Sequence, residues 1–309
     1  MNPLTGIYAT ATGLRNSLYD HGVLKPHRLE RPVISVGNLS TGGTGKTPFV
    51  IALGELFKAR GITFDVLSRG YRRKTRGVLV VEPEGSAPDF GDEPLLIARR
   101  LGVPVIVGES RYEAGLLAEK KFQSQIHILD DGFQHRSLAR SFDIVLMTGQ
   151  EFEDRFLPAG RLREPLTSLK RADAIVLPMG TAADEAKFFG KPVWRIKRKI
   201  TVQGTPLSPV VFCGIARPAL FFVQARAAGI APAAEIAFRD HHAYQRPDVL
   251  RLNDARDDSN AGGFLTTEKD MVNLGSFAEE LTPISVARLN LSIEQADDVI
   301  DTILATVGK

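Results

Sequence analysis

One stretch limits this chain more than any other: an apolar run, Arg31–Val36 (RPVISV), passes straight into Gly37-Asn38-Leu39-Ser40-Thr41-Gly42-Gly43-Thr44-Gly45-Lys46-Thr47. A helical pattern over Pro48–Arg60 follows. Closely spaced glycines let backbone N–H groups close around phosphate oxygens, because no Cβ blocks the approach. The helix behind them adds the positive end of its dipole. Lys46 can neutralise β- and γ-phosphates, and the Thr47 hydroxyl can ligate Mg²⁺. The standard phosphate-loop pattern has a glycine where this chain has Ser40. The expected cradle is Ser40, Thr41, Gly42, Gly43, Thr44, Gly45, Lys46 and Thr47, and the expected guest is ATP with Mg²⁺.

Strand–loop–helix units of this kind belong in an open α/β sheet, and the rest of the chain fits one. Short apolar runs at Phe64–Leu67, Val78–Val81, Pro104–Val107, Ile126–Leu129, Ile144–Leu146 and Ala174–Leu177 alternate with helical patterns at Glu93–Arg100 and Glu113–Lys121. This predicts parallel strands with crossover helices, a doubly wound sheet whose ligands sit at the carboxyl ends of its strands. From Gly190 to Pro209 the pattern becomes alternating apolar and basic (KPVWRIKRKI), which predicts a half-exposed strand or a β-hairpin acting as a linker. Strand patterns at Val210–Phe212, Ile236–Phe238, Gly263–Thr266 and Ile284–Val286 follow, with helices near Pro218–Ala228 and Pro247–Asp254 and a last one over Ser292–Val307. The expected division is therefore a phosphate-loop domain over residues 1–198, with an N-terminal amphipathic helix, and a smaller α/β domain over 199–309.

Several classes are excluded. A single cysteine, Cys213, leaves no intramolecular disulfide framework and no Cys-clustered zinc site. A net charge of +3 does not mark a nucleic-acid binder, and no segment reaches the roughly 20 apolar residues that span a bilayer. The N-terminus lacks the pattern of a secretory signal. It does place Leu4, Ile7, Tyr8, Ala11, Leu14 and Leu18 at helical spacing, with Lys25, His27, Arg28 and Arg31 close behind. Periodicity alone suits a helix packed on its own domain or one lying on an anionic membrane surface.

Phosphoryl transfer also needs a carboxylate for the metal and a group that takes the acceptor's proton. Ile126-His127-Ile128-Leu129 ends in Asp130-Asp131, where a metal-holding acid would stand beside the loop. Asp92-Glu93 opens a helical segment, where acids are favoured by the dipole in any case. His241-His242 are adjacent and so point apart, which suits one proton-relaying imidazole better than a chelating pair. The cluster Arg69, Arg72, Arg73, Lys74 and Arg76, together with Arg111, Arg161 and Arg163, reads either as a solvated face or as an anion-binding rim.

Taken together, SVGNLSTGGTGKTP, LSRGYRR, GDEP, GESRYEAG, ILDDGFQHR, LPAGRLREP, GIARPALFF, FRDHHAY and LTTEKD, in this order over nearly the whole chain, resemble the tetraacyldisaccharide 4'-kinase (lipid A 4'-kinase) family. The resemblance implies a two-domain α/β enzyme that uses ATP to phosphorylate the 4'-hydroxyl of a tetraacylated glucosamine disaccharide 1-phosphate, giving lipid IVA. It implies peripheral work at the cytoplasmic face of the bacterial inner membrane, which favours the membrane reading of the N-terminal helix. No nucleic acid and no obligate protein partner are expected. Carried over by motif, Asp92 matches the catalytic base, His241 its partner in a carboxylate–His dyad, and Lys46 and Arg163 the groups on the transferred phosphate. Arg72, Arg111, Gln134 and His135 are expected on the acceptor, and Thr47, Asp130, Asp131 and Glu93 around the metal. Two rival readings are a nucleotide-switched ATPase, which needs no acceptor base, and a kinase for a small soluble metabolite. The absence of an N-K-x-D motif argues against a GTPase.

Overall fold

The computed structural model of the chain describes residues 3–182 and 188–308. In chain order the strands are β1 (Val33–Asn38), β2 (Phe64–Ser68), β3 (Leu79–Val80), β4 (Val105–Val107), β5 (Ile126–Asp130), β6 (Phe142–Leu146), β7 (Ala174–Pro178), β8 (Val193–Val202), β9 (Val210–Cys213), β10 (Ala234–Ala237), β11 (Phe264–Thr267) and β12 (Ile284–Ile293). The α-helices are α1 (Pro3–Asp20), α2 (Lys46–Ala59), α3 (Ala87–Phe90), α4 (Asp92–Leu101), α5 (Arg111–Lys121), α6 (Pro218–Ala227), α7 (Arg246–Asp258), α8 (Glu268–Leu274) and α9 (Ala296–Val307). The strands form one sheet in the order β10-β9-β11-β12-β8-β7-β6-β1-β5-β2-β4-β3. All pairings are parallel except β3 with β4 and β8 with β12.

The central strands are apolar on both faces, as a sheet covered on both sides requires. Along β1, Ile34 and Val36 join the cluster under α2, α4 and α9, while Val33 points to the cluster under α5. The same alternation runs through β7, where Ala174 and Val176 face the first cluster and Ile175 and Leu177 face another beneath residues 152–169. β1 lies between β5 and β6, pairing Val36 with Asp130 on one side and with Ile144 on the other. The strand order reverses there, and the crevice at that switch point is where such sheets bind ligands.

Three expectations differ in detail. The VLVV run keeps only Leu79–Val80 as strand, an antiparallel edge rather than a parallel member. The final helix begins at Ala296: Ser292 and Ile293 close β12, pairing with Lys197 and Ile196 of β8, and cross-strand pairing outweighs the helical periodicity there. Of the two readings of the basic stretch after Gly190, the half-exposed strand holds, as the ten-residue β8, and the hairpin does not. It pairs antiparallel with β12, far downstream, rather than folding back on adjacent residues as a hairpin would. The expected boundary at residue 198 thus falls inside β8.

Helix α1 leaves part of its apolar stripe exposed. Leu4, Ile7 and Leu14 are 59%, 65% and 62% exposed, so this part of the stripe is largely open to solvent. The helix is tied down through its second half. Asn16 donates to the buried Glu164 (2.8 Å), Arg136 donates to the Asn16 carbonyl (2.9 Å), and Arg136 pairs with Asp20 (2.7 Å).

Candidate active site

The carboxyl ends of β1, β2 and β5 open into a cavity of about 580 Å³. Its wall includes the whole run Ser40–Thr47, Asp130, Asp131, Glu93, Arg72 and Arg163 from the part of the chain before β8. From the C-terminal half it takes Arg217, Asp240, His241 and Lys269, and Arg198 comes from β8 between them. The phosphate loop and the histidine expected to serve the acceptor therefore face one space.

The loop is held from behind. Asn38, fully buried at the end of β1, donates to Thr44 Oγ1 (2.8 Å) and accepts from Lys46 Nζ (3.3 Å) and from Arg163. Gly45 caps α2 at φ 94°, a conformation that favours glycine. Ser40, where the standard loop has glycine, is buried and donates to Glu151 Oε1 (3.1 Å). Glu151 in turn accepts from the Thr148 N–H at 2.9 Å. The substitution therefore supplies an anchor for the start of the loop.

Asp130 and Asp131 stand in opposite electrostatic situations. Asp131 pairs with Lys46 (3.4 Å) and Arg163 (2.8 Å). Burial pushes its carboxyl up, but those two cations outweigh burial and hold it well below the usual range. Among the described residues Asp130 accepts only a long bond from Ser68 (3.3 Å), and its buried Oδ1 has no partner. Burial, then the charges of Glu93 and Asp131, push it up to about 7. A buried carboxylate oxygen without a donor is costly, and a cation beside it removes that cost. Asp130, Glu93 and the Thr47 hydroxyl, which all border the crevice, thus fit a divalent ion arriving with nucleotide phosphates. Mg²⁺ characteristically uses only one or two carboxylates with such ligands. Asp131 is committed to Lys46 and Arg163.

Asp92 and His241 meet, although they lie in different halves of the chain. Asp92 opens α4 and is 5% exposed; its Oδ2 lies 2.8 Å from His241 Nδ1 and accepts from Asn273 Nδ2 at 3.1 Å. Burial raises the Asp92 carboxyl, but the His241 bond, the Lys269 charge and the Asn273 bond together lower it to about 2. It is an anion at any working pH. With Nδ1–H given to Asp92, His241 turns Nε2 toward Lys269 Nζ at 3.2 Å. Lys269 is itself within reach of Glu93 (3.4 Å) and Asp240 (3.5 Å), and its ammonium is stabilised by Glu93, Asp92 and Asp240 against the opposing effect of burial. His241 has φ 54°, as do Arg72 (62°) and Asp131 (51°) nearly so. Left-handed backbone at non-glycine positions costs energy, and here it falls on three residues of one cavity. Arg72 secures the His241 turn by donating to the carbonyls of Asp240 (3.1 Å) and His241 (2.8 Å).

The family of the chain follows from comparison with known proteins. The model of the tetraacyldisaccharide-1-P 4'-kinase family (LpxK) matches residues 1–308. The chain belongs to this family. A tetraacyldisaccharide 4'-kinase of Koribacter versatilis is 46% identical over all of this chain and 99% of its own length. One of Aquifex aeolicus is 38% identical over 89% of each. A crystal structure of LpxK from Aquifex aeolicus in complex with ATP superimposes with a TM-score of 0.80 at 34% identity, covering 99% of this chain and 97% of that one.

Not every residue expected at the site lines the cavity. Arg111, the first residue of α5, is buried and donates to the Glu109 carbonyl (2.9 Å); burial and Arg69 lower it to about 10. Gln134 donates to the Asn38 carbonyl (2.9 Å), bracing the end of β1. His135 lies 3.0 Å from Ser137 Oγ and is lowered to about 4 by burial and by Arg111, Arg140, Arg69 and Arg15, so its imidazole is neutral. These three support the loops around the cavity in this LpxK-family structure. Conversely, the residue reading gave no role to Asn38, Lys269 or Asn273. Asn38 had a signal, a polar residue ending an apolar strand directly before the glycines. Lys269 stood only inside the LTTEKD motif and Asn273 had no signal, because α8 packing on α4 is what brings them to Asp92.

Proposed function

We propose that this cavity transfers the γ-phosphate of ATP to the 4'-hydroxyl of a tetraacylated glucosamine disaccharide 1-phosphate. One observation carries the reading: the phosphate loop and His241 border the same cavity, and the buried Asp92 backs His241 at 2.8 Å. A nucleotide switch needs no such pair. Membership of the LpxK family supports the sugar-lipid acceptor over a small soluble metabolite.

In this reading Lys46 and Arg163 hold the transferred group, and Asn38 and Asp131 hold Lys46 and Arg163. Bound through Asp130, Glu93 and Thr47, Mg²⁺ would neutralise developing charge on the phosphates. A sugar hydroxyl attacks only when its proton has somewhere to go. Motif matching made Asp92 the acceptor of that proton. That His241 lines the cavity while Asp92 lies behind it supports the imidazole Nε2 as the first acceptor, with Asp92 fixing the tautomer and stabilising the imidazolium. Lys269 gives way from Nε2 as the acceptor enters and remains paired with Glu93 and Asp240.

The exposed face of α1 suits an acceptor whose acyl chains stay in a bilayer. No helix among the described residues is long and apolar enough to cross a membrane. The reading places the chain peripherally on the cytoplasmic face of the inner membrane. Replacing Leu4, Ile7 and Leu14 together by serine should lower sedimentation with anionic vesicles severalfold and leave ATP affinity unchanged. Undiminished sedimentation would remove α1 from the membrane role.

The function itself is tested by incubating the protein with γ-labelled ATP and the tetraacylated acceptor. Label should enter the lipid fraction; label released only as inorganic phosphate would favour the switch.

A further inference from the structure

We propose that Arg198 binds the polyphosphate chain of the nucleotide, reaching the phosphate loop from β8. This rests on the assignment of ATP to the cavity and adds to it a residue that lies outside the loop motif.

Arg198 is a mostly buried guanidinium whose charge no acid among the described residues balances. It donates to the Thr44 carbonyl, and its Nε is buried without a partner. No carboxylate among the described residues pairs with it. Three other cations of the site are neutralised: Lys46 and Arg163 by Asp131, and Lys269 by Glu93, Asp92 and Asp240. The nearby charge that acts on Arg198 is another cation, Arg217, on the same cavity wall. Burial first, and then Arg217, lower the Arg198 guanidinium below its ordinary value. Keeping two cations in one cavity with no acid between them is unfavourable unless an anion joins them.

The loop is shaped for this guanidinium. Gly45 has φ 94°, and a Cβ there would lie 2.6 Å from an Arg198 terminal nitrogen. Glycine at this position therefore does two things: it permits the left-handed turn before Lys46, and it leaves room for Arg198 against the backbone. The neutral Thr44 carbonyl is a weak partner for a charged fork that matches phosphate geometry. Ile200, two residues further along β8 and so on the same face of the strand, also lines the cavity with Ile215, Phe221 and Leu289. That apolar wall beside Arg198 suits a nucleobase. This favours the nucleotide over the acceptor's own phosphate as the source of the anion.

The test is equilibrium binding of ATP, ADP and AMP to the full-length Arg198→Ala, Arg198→Gln and Arg198→Lys proteins, with steady-state kinetics for the acceptor. Losing one charge-assisted contact should weaken ATP and ADP about 10- to 100-fold. AMP should change little, and lysine should recover part of the loss because it keeps charge but not the fork. The KM for the acceptor should be unchanged, and thermal melting of the glutamine variant confirms that the comparison is between folded proteins. ATP binding within about twofold of the unsubstituted chain in both the alanine and glutamine variants overturns the proposal. So does a raised acceptor KM with unaltered ATP affinity, which would give the guanidinium to the acceptor phosphate. Lys46→Ala separates the levels. If it loses ATP while Arg198→Ala does not, only Arg198 is misassigned. If neither loses ATP, the nucleotide assignment falls as well.

Discussion

Asp92→Asn is expected to lower kcat by about 10²–10⁴-fold while ATP affinity stays within a small factor of the unsubstituted chain. An amide in place of the carboxylate can still sit beside His241, but it no longer fixes Nδ1–H or stabilises an imidazolium. His241→Ala should cost a similar amount. The double variant should be little worse than either single one, because groups that act as a unit are not additive. Additive losses would mean that the two residues act separately, against their 2.8 Å contact. The pH dependence has a definite sign. Asp92 is held at about 2 in the fold, against about 3.9 in an unfolded chain. Its contribution to stability is complete above the unfolded value and is lost as pH falls toward 2. Any acid limb of kcat/KM above about pH 4 therefore belongs to another group. If such a limb persists unchanged in His241→Ala, the imidazole is not the group that takes the proton.

Lys46→Ala should reduce both ATP affinity and turnover, with a loss in kcat of about 10²–10³-fold, typical of removing a preorganised charge from a transferring group. The effect reaches beyond one contact. Lys46 pairs with Asp131, and its charge also holds Asp130 down against burial, Glu93 and Asp131. Without it the acid cluster is less compensated, so the variant should also need more Mg²⁺ for half-maximal rate. Measured Mg²⁺ activation curves check this. A variant with normal ATP affinity, rate and Mg²⁺ demand would show that the glycine loop does not hold the nucleotide.

Much of this was legible from residues alone, for identifiable reasons. The strands around β1 are buried on both faces, so they appear as unbroken apolar runs, and RPVISV announced both the sheet and its site. Asp130 could be placed because a parallel strand delivers its last residue to the crevice. The partnership of β8 with β12 could not be read, because nothing local records a pairing across so long a separation. The same pairing hid the end of β12, where Ser292 and Ile293 also fit a helical period. Glu93 and Asp92 signalled only a helix start. Their chemistry depends on Lys269 and Asn273, which reach them through packing of α8 on α4. The arginines show the limit most plainly: Arg163 and Arg198 look alike in sequence, yet one is balanced by Asp131 and the other by no acid among the described residues.

The decisive measurement is a crystal structure of the protein with a non-hydrolysable ATP analogue, Mg²⁺ and the tetraacylated disaccharide acceptor. The 4'-oxygen is expected about 3–3.5 Å from the γ-phosphorus and within hydrogen-bond reach of His241 Nε2, with Lys46 on the γ-phosphate. A γ-phosphate seated away from Lys46, or a 4'-oxygen beyond the reach of both His241 and Asp92, would contradict the account.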